Sequence, residues 1–393
     1  MRFNATSSPN AGSAYRDKEQ AMQFHLNETQ AMLRDGARRL FFNEFDSAQA
    51  RAVEASADGF SQENWSQLTR LGWNSVALPE TAGGGGLGVL ELCVLAEEMG
   101  RAAASTPLLI SSGVAATCLK LVPSHPLATQ LLKRLASTDT VITAALIDES
   151  GRDERTPPRL LLQEGGNSLR LSGIKQLVPY ASIARVLLVS TSTADGQTAI
   201  VAIDRESPGL TLRRNQTLGA DPLFEVRFSD VTVADDRVLA RGPAAVAALN
   251  KSLEVATVVA MAEAVGYCEG IIRLTVEHAK VREQFGQAIG AFQAVSHPLA
   301  DMRIQTDACR LLTLEAAWLL DQGKSAELEI ASAKVLANEA IEKIAVDGHR
   351  LHGAIGYSKE HDVQLYTRRA RAFCVAWGDT ERQIERAAVA LGL

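Results

Sequence analysis

The sequence has no excess of basic residues, and this absence excludes proteins whose main partner is nucleic acid. Lys and Arg number 40 against 46 Asp and Glu, for a net charge of −6, whereas a phosphate backbone favours a basic surface. A basic cluster, Arg368, Arg369 and Arg371, falls within one helical turn and indicates inter-helix salt bridges or a solvated face. We find no apolar run near the roughly 18 residues of a membrane span, so we expect no membrane partner.

Cysteine is scarce as well. The five cysteines are far apart and form no C-x-x-C pair, which favours reduced thiols in a cytoplasm over disulfides or a zinc site. His349, His352 and His361 lie close in sequence, but no zinc signature surrounds them. The first twenty residues lack the apolar core of a secretory signal. We therefore predict a cytoplasmic protein without a metal site.

What the chain does have is length and an ordinary globular composition. Its 393 residues are 46% hydrophobic and 22% charged, which predicts two to three folded domains. Residues 1–20 are polar, and we predict a disordered tail there. Residues 21–135 have helical periodicity, residues 136–240 hold short β-rich runs between turns, and residues 241–393 return to long helices. The expected fold class is α+β, with an N-terminal helical bundle, a small antiparallel β-domain and a C-terminal long-helix bundle.

The glycine-rich stretch at 78–88, LPETAGGGGLG, is interpreted as a flexible loop. No G-K-[ST] follows it and no clear strand precedes it, so a phosphate-binding loop is disfavoured. The β-rich part carries no Rossmann fingerprint, which argues against a nicotinamide cofactor on that fold. Residue patterns alone then indicate a ligand cleft between domains.

Two C-terminal strings carry more specific information. VREQFGQAIGAFQAVSHPLADM at 281–302 and LHGAIGYSKEHDVQLYTRRARAF at 351–373 closely resemble the acyl-CoA dehydrogenase family. Residues 71–109 and 171–189 resemble it too. The resemblance implies the helical–β–helical fold of that family and a flavoprotein whose cofactor is FAD. It also implies α,β-dehydrogenation of an acyl-CoA or acyl-carrier-protein thioester, with electrons passed to an electron-transferring flavoprotein, by a tetramer.

The resemblance implies that the R-x-x-F-G string binds FAD. The cofactor would lie between the β-domain and the C-terminal helices and would be held partly by a neighbouring subunit. Arg282 would approach the pyrophosphate, to which a guanidinium presents a planar set of donors. A surface salt bridge is the alternative. Phe285 would pack beside the cofactor, with core packing as the alternative, and Gln293 would supply a nearby polar contact.

The L-H-G-A-I-G-Y string is implied to approach the FAD of a partner chain. Gly353 and Gly356 lack a Cβ, which permits a close backbone approach, although Gly353 could instead be a helix C-cap. Arg350 stands where relatives often have glutamine. The resemblance assigns Arg350, and Gln383 farther along the chain, to the cofactor as well.

The base that removes the α-proton is expected in WGDTERQIER, residues 377–386, which resembles the family string Y-E-G-T-S-Q-I-Q-R. Aligning Q-I-x-R places Asp379 on the family's glutamate, so Asp379 is the predicted base. Aligning the aromatic residue places Gly378 there instead. Aspartate is one methylene shorter and needs an adapted loop. The alternative for Asp379 is the N-cap of the last helix.

Other positions depart from the family pattern. Glu254 is two residues, about 200° of helix, from the place where another branch carries its base. Ile147 stands for a threonine and residues 177–179 for W-I-T, so fewer hydroxyl contacts to the flavin are expected. Thr257 stands for an arginine that assists the CoA thioester. These departures leave two rivals open, a fold-retaining subunit that needs a partner chain and a flavin monooxygenase on the same fold.

Overall fold

The protein is described here by a computed structural model, which covers residues 25–165 and 168–393. The disordered tail predicted at 1–20 lies outside these residues. Helices come first, two β-sheets follow, and long helices close the chain. The predicted α+β class with this order of parts is therefore confirmed.

The first three helices of the N-terminal part begin at side-chain caps. Asn27 accepts a hydrogen bond from the Gln30 N–H, and the Gln30 side chain accepts one from the Asn27 N–H, while Asp46 and Ser61 cap the next two helices. The helices are α1 (Glu28–Glu44), α2 (Ser47–Ala55), α3 (Gln62–Arg70), α4 (Val89–Arg101), α5 (Ala116–Lys120) and α6 (Pro126–Ser137). A π-helical segment, Leu108–Ala115, precedes α5.

The middle part is a two-layer β-sandwich. Its strands are β1 (Ile142–Ala145), β2 (Ile147–Asp148), β3 (Leu162–Gly165), β4 (Ser168–Pro179), β5 (Val186–Ser192), β6 (Thr198–Asp204), β7 (Leu210–Arg214), β8 (Leu223–Val233) and β9 (Val238–Arg241). One sheet has the order β1-β5-β6-β9, and the other has β2-β4-β8-β7 with β3 beside β4. The facing sides of both sheets form one apolar cluster.

The first sheet differs from the antiparallel arrangement that the sequence predicts. β1 and β5 pair in parallel, with Ile142 opposite Val186, whereas the other strand pairs of the sandwich are antiparallel. Helices α5 and α6 cover the outer face of this sheet. Because both faces are buried, β1 and β5 are nearly continuous apolar runs rather than alternating ones.

A buried lysine fixes the turn between β1 and β2. Lys175 on β4 is fully buried, and its ammonium pairs with Asp148 at 2.8 Å. The same nitrogen donates to the Leu146 carbonyl and the Ser190 hydroxyl, each at 3.0 Å. Three partners satisfy the ammonium, as a buried charge requires. The turn that they hold forms one wall of the cleft described below.

The C-terminal part is a bundle of long helices. These are α7 (Pro243–Val281), α8 (Gln293–Asp321), α9 (Glu327–His352), α10 (Val363–Phe373) and α11 (Thr380–Ala390). A small hairpin, β10 (Glu283–Gln284) and β11 (Gln287–Ala288), connects α7 to α8. Residues of α4, α7, α8, α9 and α10 share one apolar core.

The sequence analysis found no apolar run near the length of a membrane span, and the central helix α7 corrects that expectation. By length and apolar composition alone it could cross a membrane, since its most apolar 18-residue window has a mean hydropathy of 1.5. However, 83% of that window is buried inside the protein, against the other helices. A helix that is apolar on all sides is therefore explained here by burial in the core.

Two glycines let α4 and α7 touch backbone to backbone. A Cβ at Gly100 would overlap the carbonyl oxygen of Glu263, and one at Gly266 would overlap that of Glu97. Only residues without a side chain permit this approach. The contact fixes the position of Glu263, which lies one turn before Gly266 on α7.

Candidate active site

A cleft of about 540 Å³ lies where the three parts of the chain meet. The β-sandwich contributes Leu146, Ile147 and the end of β4, and the π-helical segment contributes Leu109 and Ile110. The opposite wall comes from α7, from α10 and from the turn after α10. A large, mainly apolar cleft with a few polar groups is the usual form of a small-molecule site.

The sandwich wall offers few hydroxyl groups to a ligand. Ile147, Leu177 and Pro179 line it with apolar side chains. Leu177 is 44% exposed and has a φ of +52°, so its backbone is held in an unusual conformation. Tyr180 follows, and its hydroxyl lies 2.9 Å from the Ser105 hydroxyl. The expected scarcity of threonine and serine contacts on this wall agrees with these lining residues.

The inner end of the cleft carries two carboxylates. Glu263 on α7 and Asp221 in the turn between β7 and β8 both line it. The Tyr267 hydroxyl donates to one oxygen of Glu263 at 2.6 Å. Burial raises the pKa of Glu263 to about 7, against the opposing effects of the Tyr267 hydrogen bond and Arg369. Burial likewise raises the pKa of Asp221, and Arg369 opposes that shift.

Arg369 is a buried cation at the same end. It is 5% exposed, it donates to Glu54 of α2 at 3.0 Å, and it also donates to the Ala103 carbonyl. Its neighbour Arg368 donates to the other Glu54 oxygen at 2.8 Å. The sequence analysis interpreted the basic cluster at 368–371 as inter-helix salt bridges or as a solvated face. Arg368 and Arg369 form inter-helix salt bridges. They tie α10 to the N-terminal helices and hold the cleft wall in place.

The outer end of the cleft is formed by the turn between α10 and α11. Trp377 lines the cleft and has a φ of +58°. Its carbonyl accepts a hydrogen bond from Gln383 at 3.0 Å, and Gln383 is fully buried. Gln383 was assigned to the cofactor, and the structure places it under this turn, where it fixes Trp377. Gly378 leaves room for the Gln383 amide, which a Cβ would overlap.

Asp379, the predicted base, caps α11. Its carboxylate accepts the Arg382 N–H at 2.9 Å, its backbone is extended, and its side chain is exposed. The N-cap alternative is therefore present in the structure, and Asp379 is not among the residues that line the cleft. Glu254, the other acid weighed in the sequence, pairs with Lys251 at 3.0 Å.

A different acid stands beside this turn. Glu154, in the loop after β2, lines both the main cleft and a small pocket next to Trp377 and Gly378. Burial raises its pKa, while a hydrogen bond with the Trp377 backbone lowers it. Arg155 lines the small pocket as well, and burial lowers its pKa to about 10, with Arg386 acting in the same direction. The structure thus brings a carboxylate from the β-domain to the mouth of the cleft.

Three residues assigned to FAD from the resemblance lie elsewhere, on an exposed surface. Arg282 and Phe285 belong to the segment between α7 and α8, Gln293 is the first residue of α8, and none of the three lines the cleft of its own chain. The Phe285 ring is 92% exposed and has an edge-on neighbour in Phe292 at 6.1 Å. Core packing of Phe285 is therefore excluded within this chain, and its ring is free to contact another molecule.

The end of α9 lies on the same side of the bundle. His278 of α7 stacks on His352 of α9 at 4.8 Å, which brings Arg282 and Gly353 to one end of the molecule. Gly353 is the C-cap of α9 with a φ of +66°, and Gly356 is buried against His352. Arg350 is exposed and pairs with Asp347 at 3.0 Å. The described residues contain no group of three or more His, Cys, Asp or Glu arranged to hold a metal ion.

Comparison with known families decides what this architecture is. The family model described as "Acyl-CoA dehydrogenase, N-terminal domain" matches residues 27–139, and "Acyl-CoA dehydrogenase, C-terminal domain" matches residues 246–392. The chain belongs to the acyl-CoA dehydrogenase family. Its members are oxidoreductases that act on CH–CH groups, and their cofactor is FAD. Acyl-CoA thioesters and an electron-transferring flavoprotein are their typical substrates and partner.

Individual acyl-CoA dehydrogenases support the assignment over nearly the whole chain. The cyclohex-1-ene-1-carbonyl-CoA dehydrogenase of Geobacter metallireducens is 30% identical over 88% of this chain and 93% of its own. The Tcur3481–Tcur3483 steroid ACAD variant is 30% identical, with a TM-score of 0.82 over 93% of this chain and 98% of that one. The ChsE4–ChsE5 complex of Mycobacterium tuberculosis is 27% identical, with a TM-score of 0.84 over 94% of this chain and 99% of that one.

The exposed residues at this end of the molecule have the chemistry to hold part of FAD. No heavy atom of the described residues lies within 4 Å of a Cβ built at Gly353, so a ligand can approach that backbone closely. Arg282 and Phe285 present a cation and an exposed aromatic ring at the same end. These residues would hold the phosphates and one face of the cofactor, and the cleft between sandwich and helices would take the flavin ring.

Four acids line the cleft, and none of them was a candidate in the sequence analysis: Asp153, Glu154, Asp221 and Glu263. Glu263 does carry a signal, because it is isolated in the apolar stretch 255–265 of a helix, where an unpaired acid is unusual. Glu154 and Asp221 stand in polar turns, where acids are common, and no local pattern marks them. Only the packing of distant segments shows that they face a cleft.

Proposed function

We propose that this chain dehydrogenates an acyl thioester at its Cα–Cβ bond in the cleft between the β-sandwich and the C-terminal helices. The observation that carries the proposal is the half-buried carboxylate of Glu154, which lines that cleft at its mouth. It lies beside the turn of Trp377 and Gly378, where the family resemblance expects the base. An acyl-CoA and an electron-transferring flavoprotein are the proposed substrate and electron acceptor.

In the proposed reaction, the Glu154 carboxylate takes the α-proton and a double bond forms between Cα and Cβ. FAD supplies the acceptor for the β-hydrogen and its electron pair. Trp377 covers the mouth of the cleft and keeps water from the reacting carbons. Burial raises the pKa of Glu154 above that of an exposed carboxyl, which strengthens it as a general base once it is ionised.

Glu154 is preferred to Asp379 because of what each carboxylate contacts. Asp379 is exposed and its oxygen is engaged by the Arg382 N–H. Glu154 lines the cleft itself. The role predicted for Asp379 from the sequence stays a prediction, and one experiment tests both residues.

The experiment is anaerobic reduction of the FAD-loaded protein by a panel of acyl-CoA thioesters, followed by the loss of flavin absorbance. We expect Glu154→Gln to slow reduction by at least about 100-fold, the usual contribution of a general base, while FAD stays bound. Asp379→Asn is the matched control, since asparagine caps a helix as well as aspartate does. It should reduce at close to the normal rate. Slow reduction in Asp379→Asn with normal reduction in Glu154→Gln would reverse the assignment.

A second candidate function is a fold-retaining subunit that needs a partner chain. The observation in its favour is that the turn where the family carries its carboxylate presents Trp377 to the cleft and Gly378 to the small pocket beside it, while Asp379 faces solvent. Solved relatives include the ChsE4–ChsE5 complex, which is named for two chains. The absorbance spectrum of the chain purified alone separates the two: flavin bands that bleach with substrate support the complete enzyme. The homotetramer and the cytoplasmic location stay predictions.

A further inference from the structure

Lys334 of α9 carries its amine into the interior of the helical bundle. The residue is fully buried, and burial lowers the pKa of the amine to about 7. Its hydrogen-bond partners among the described residues are two neutral oxygens, the Asn338 side chain at 2.5 Å and the Phe373 carbonyl at 3.0 Å. An amine buried without a carboxylate partner is costly. Packing alone would therefore favour an apolar side chain here, and a further role for the amine is indicated.

The groups around this amine favour its charged form. Both oxygens accept hydrogen bonds, and the nitrogen lies 3.7 Å from the centre of the Phe373 ring, whose face attracts a cation. Against the larger effect of burial, the charges of Cys374, Glu154 and Asp379 also favour the ammonium. Among the described residues, none of the groups that act on it belongs to α7 or α8, which also pack against α9. The amine is therefore a cation below about pH 7 and neutral above it.

The amine is connected to both ends of the turn between α10 and α11. Phe373, whose carbonyl it contacts, is the last residue of α10. Asn338, its other partner, donates to the Gly378 carbonyl at 3.4 Å. The backbone of Trp377, the residue before Gly378, hydrogen-bonds the Glu154 carboxylate. A chain of contacts thus runs from the buried amine, through the turn, to the proposed base.

The positive charge also acts on Glu154 through space. Burial raises the pKa of Glu154, and Lys334 is among the groups that lower it. Only the ionised carboxylate can take a proton from the substrate. A nearby fixed cation therefore increases the fraction of the protein that holds the base in its working form.

We propose that Lys334 is a positioning residue that acts through Glu154: its ammonium, anchored to the turn that contacts this carboxylate, keeps the carboxylate ionised. The inference rests on the proposed function, because it takes Glu154 as the base. The contribution of the ammonium is present below about pH 7 and disappears at higher pH, where the amine loses its proton.

The test measures anaerobic flavin reduction in the FAD-loaded full chain at pH 6 and pH 9, with whichever of butyryl-, octanoyl- and palmitoyl-CoA reduces the wild type fastest. Lys334→Met keeps the length of the side chain without its charge, and Lys334→Gln also keeps a hydrogen-bond donor. For both variants, we expect the ratio of wild-type to variant rate to be about tenfold larger at pH 6 than at pH 9, the effect of one nearby charge. Structural damage to the turn would slow reduction equally at both pH values.

Lys343→Met is the control, since Lys343 is an exposed lysine of the same helix, paired with Asp347. Its ratio should be the same at both pH values. In a Glu154→Gln background, the ratio for Lys334→Met should also be independent of pH, because the carboxylate through which the charge acts is gone.

Ratios that do not change with pH in either Lys334 variant would overturn this inference and leave the dehydrogenase proposal standing. A pH-dependent ratio that persists in the Glu154→Gln background would also overturn it, because the charge would then act through another group. If none of the three acyl-CoA thioesters reduces the wild-type flavin, the proposed function fails, and the inference fails with it.

Discussion

The half-buried acid Glu263 has a consequence for stability that can be worked out from its pKa. Burial raises that pKa from 4.5 to about 7 in the folded protein. Because the pKa is raised, folding is favoured when the carboxyl is protonated. The free energy of unfolding therefore falls as pH rises through about 7. Replacing Glu263 with glutamine removes the penalty while keeping an acceptor for the Tyr267 hydroxyl. The variant should therefore gain stability over the wild type by about 1 kcal/mol at pH 5.5 and about 3 kcal/mol at pH 8.

Urea unfolding of both FAD-loaded proteins at these two pH values measures the effect, at one protein concentration and with excess FAD. The diagnostic quantity is the growth of the difference in free energy of unfolding with pH, because any constant effect of the substitution cancels. A difference that is the same at both pH values would refute the account of Glu263 as a half-buried acid with a raised pKa.

Three other predictions follow from contacts described above. Lys175→Met leaves the Asp148 carboxylate buried without its cation and should cost about 3–5 kcal/mol in urea unfolding; wild-type stability would contradict the role of the ion pair. Asp379→Ala should lose about 1 kcal/mol of helix capping, whereas Asp379→Asn should lose little, and equal losses would argue against the cap. Burial lowers the pKa of three imidazoles below 6.5, and each then contributes stability that is lost as pH falls below about 6.5: His278, His349 and His361. The melting temperature of Glu263→Gln, which lacks the opposing effect of that acid, should therefore decrease below this pH, and a flat melting profile in that variant would count against the imidazoles.

The order of helical, β and helical parts could be predicted because the residue pattern of each short segment predicts its secondary structure. Long helices repeat apolar residues with helical spacing, and turn residues separate the short strands of the sandwich. The scarcity of hydroxyls near Ile147 and Leu177 could also be predicted, since it concerns residue identity alone. The alternative cap of Asp379 was foreseen for the same reason, because an N-cap depends only on the residues that follow it.

The remaining features depend on contacts between distant segments. The parallel pairing of β1 and β5 was missed because the residues of one strand do not show which strand it pairs with or in which direction. The sequence did not show that α7 is buried on all sides, since only its neighbouring helices show which of its faces are covered. Glu154 and Asp221 come from loops of the sandwich that the cleft brings together with α7, so their sequence neighbourhoods give no hint of their position.

In α7, the backbone contact with α4 at Gly100 and Gly266 positions the helix, and other residues of the same helix line the cleft. The depth of the cleft is set by main chain against main chain, so it does not depend on the side chains that point into it. Ala260, Glu263 and Tyr267 line the cleft from this helix, and we expect a conservative substitution there to change the surface of the cleft more than the position of the helix. A new acyl preference is then open to single substitutions on a scaffold that stays in place, and directed changes of specificity should begin at these three positions.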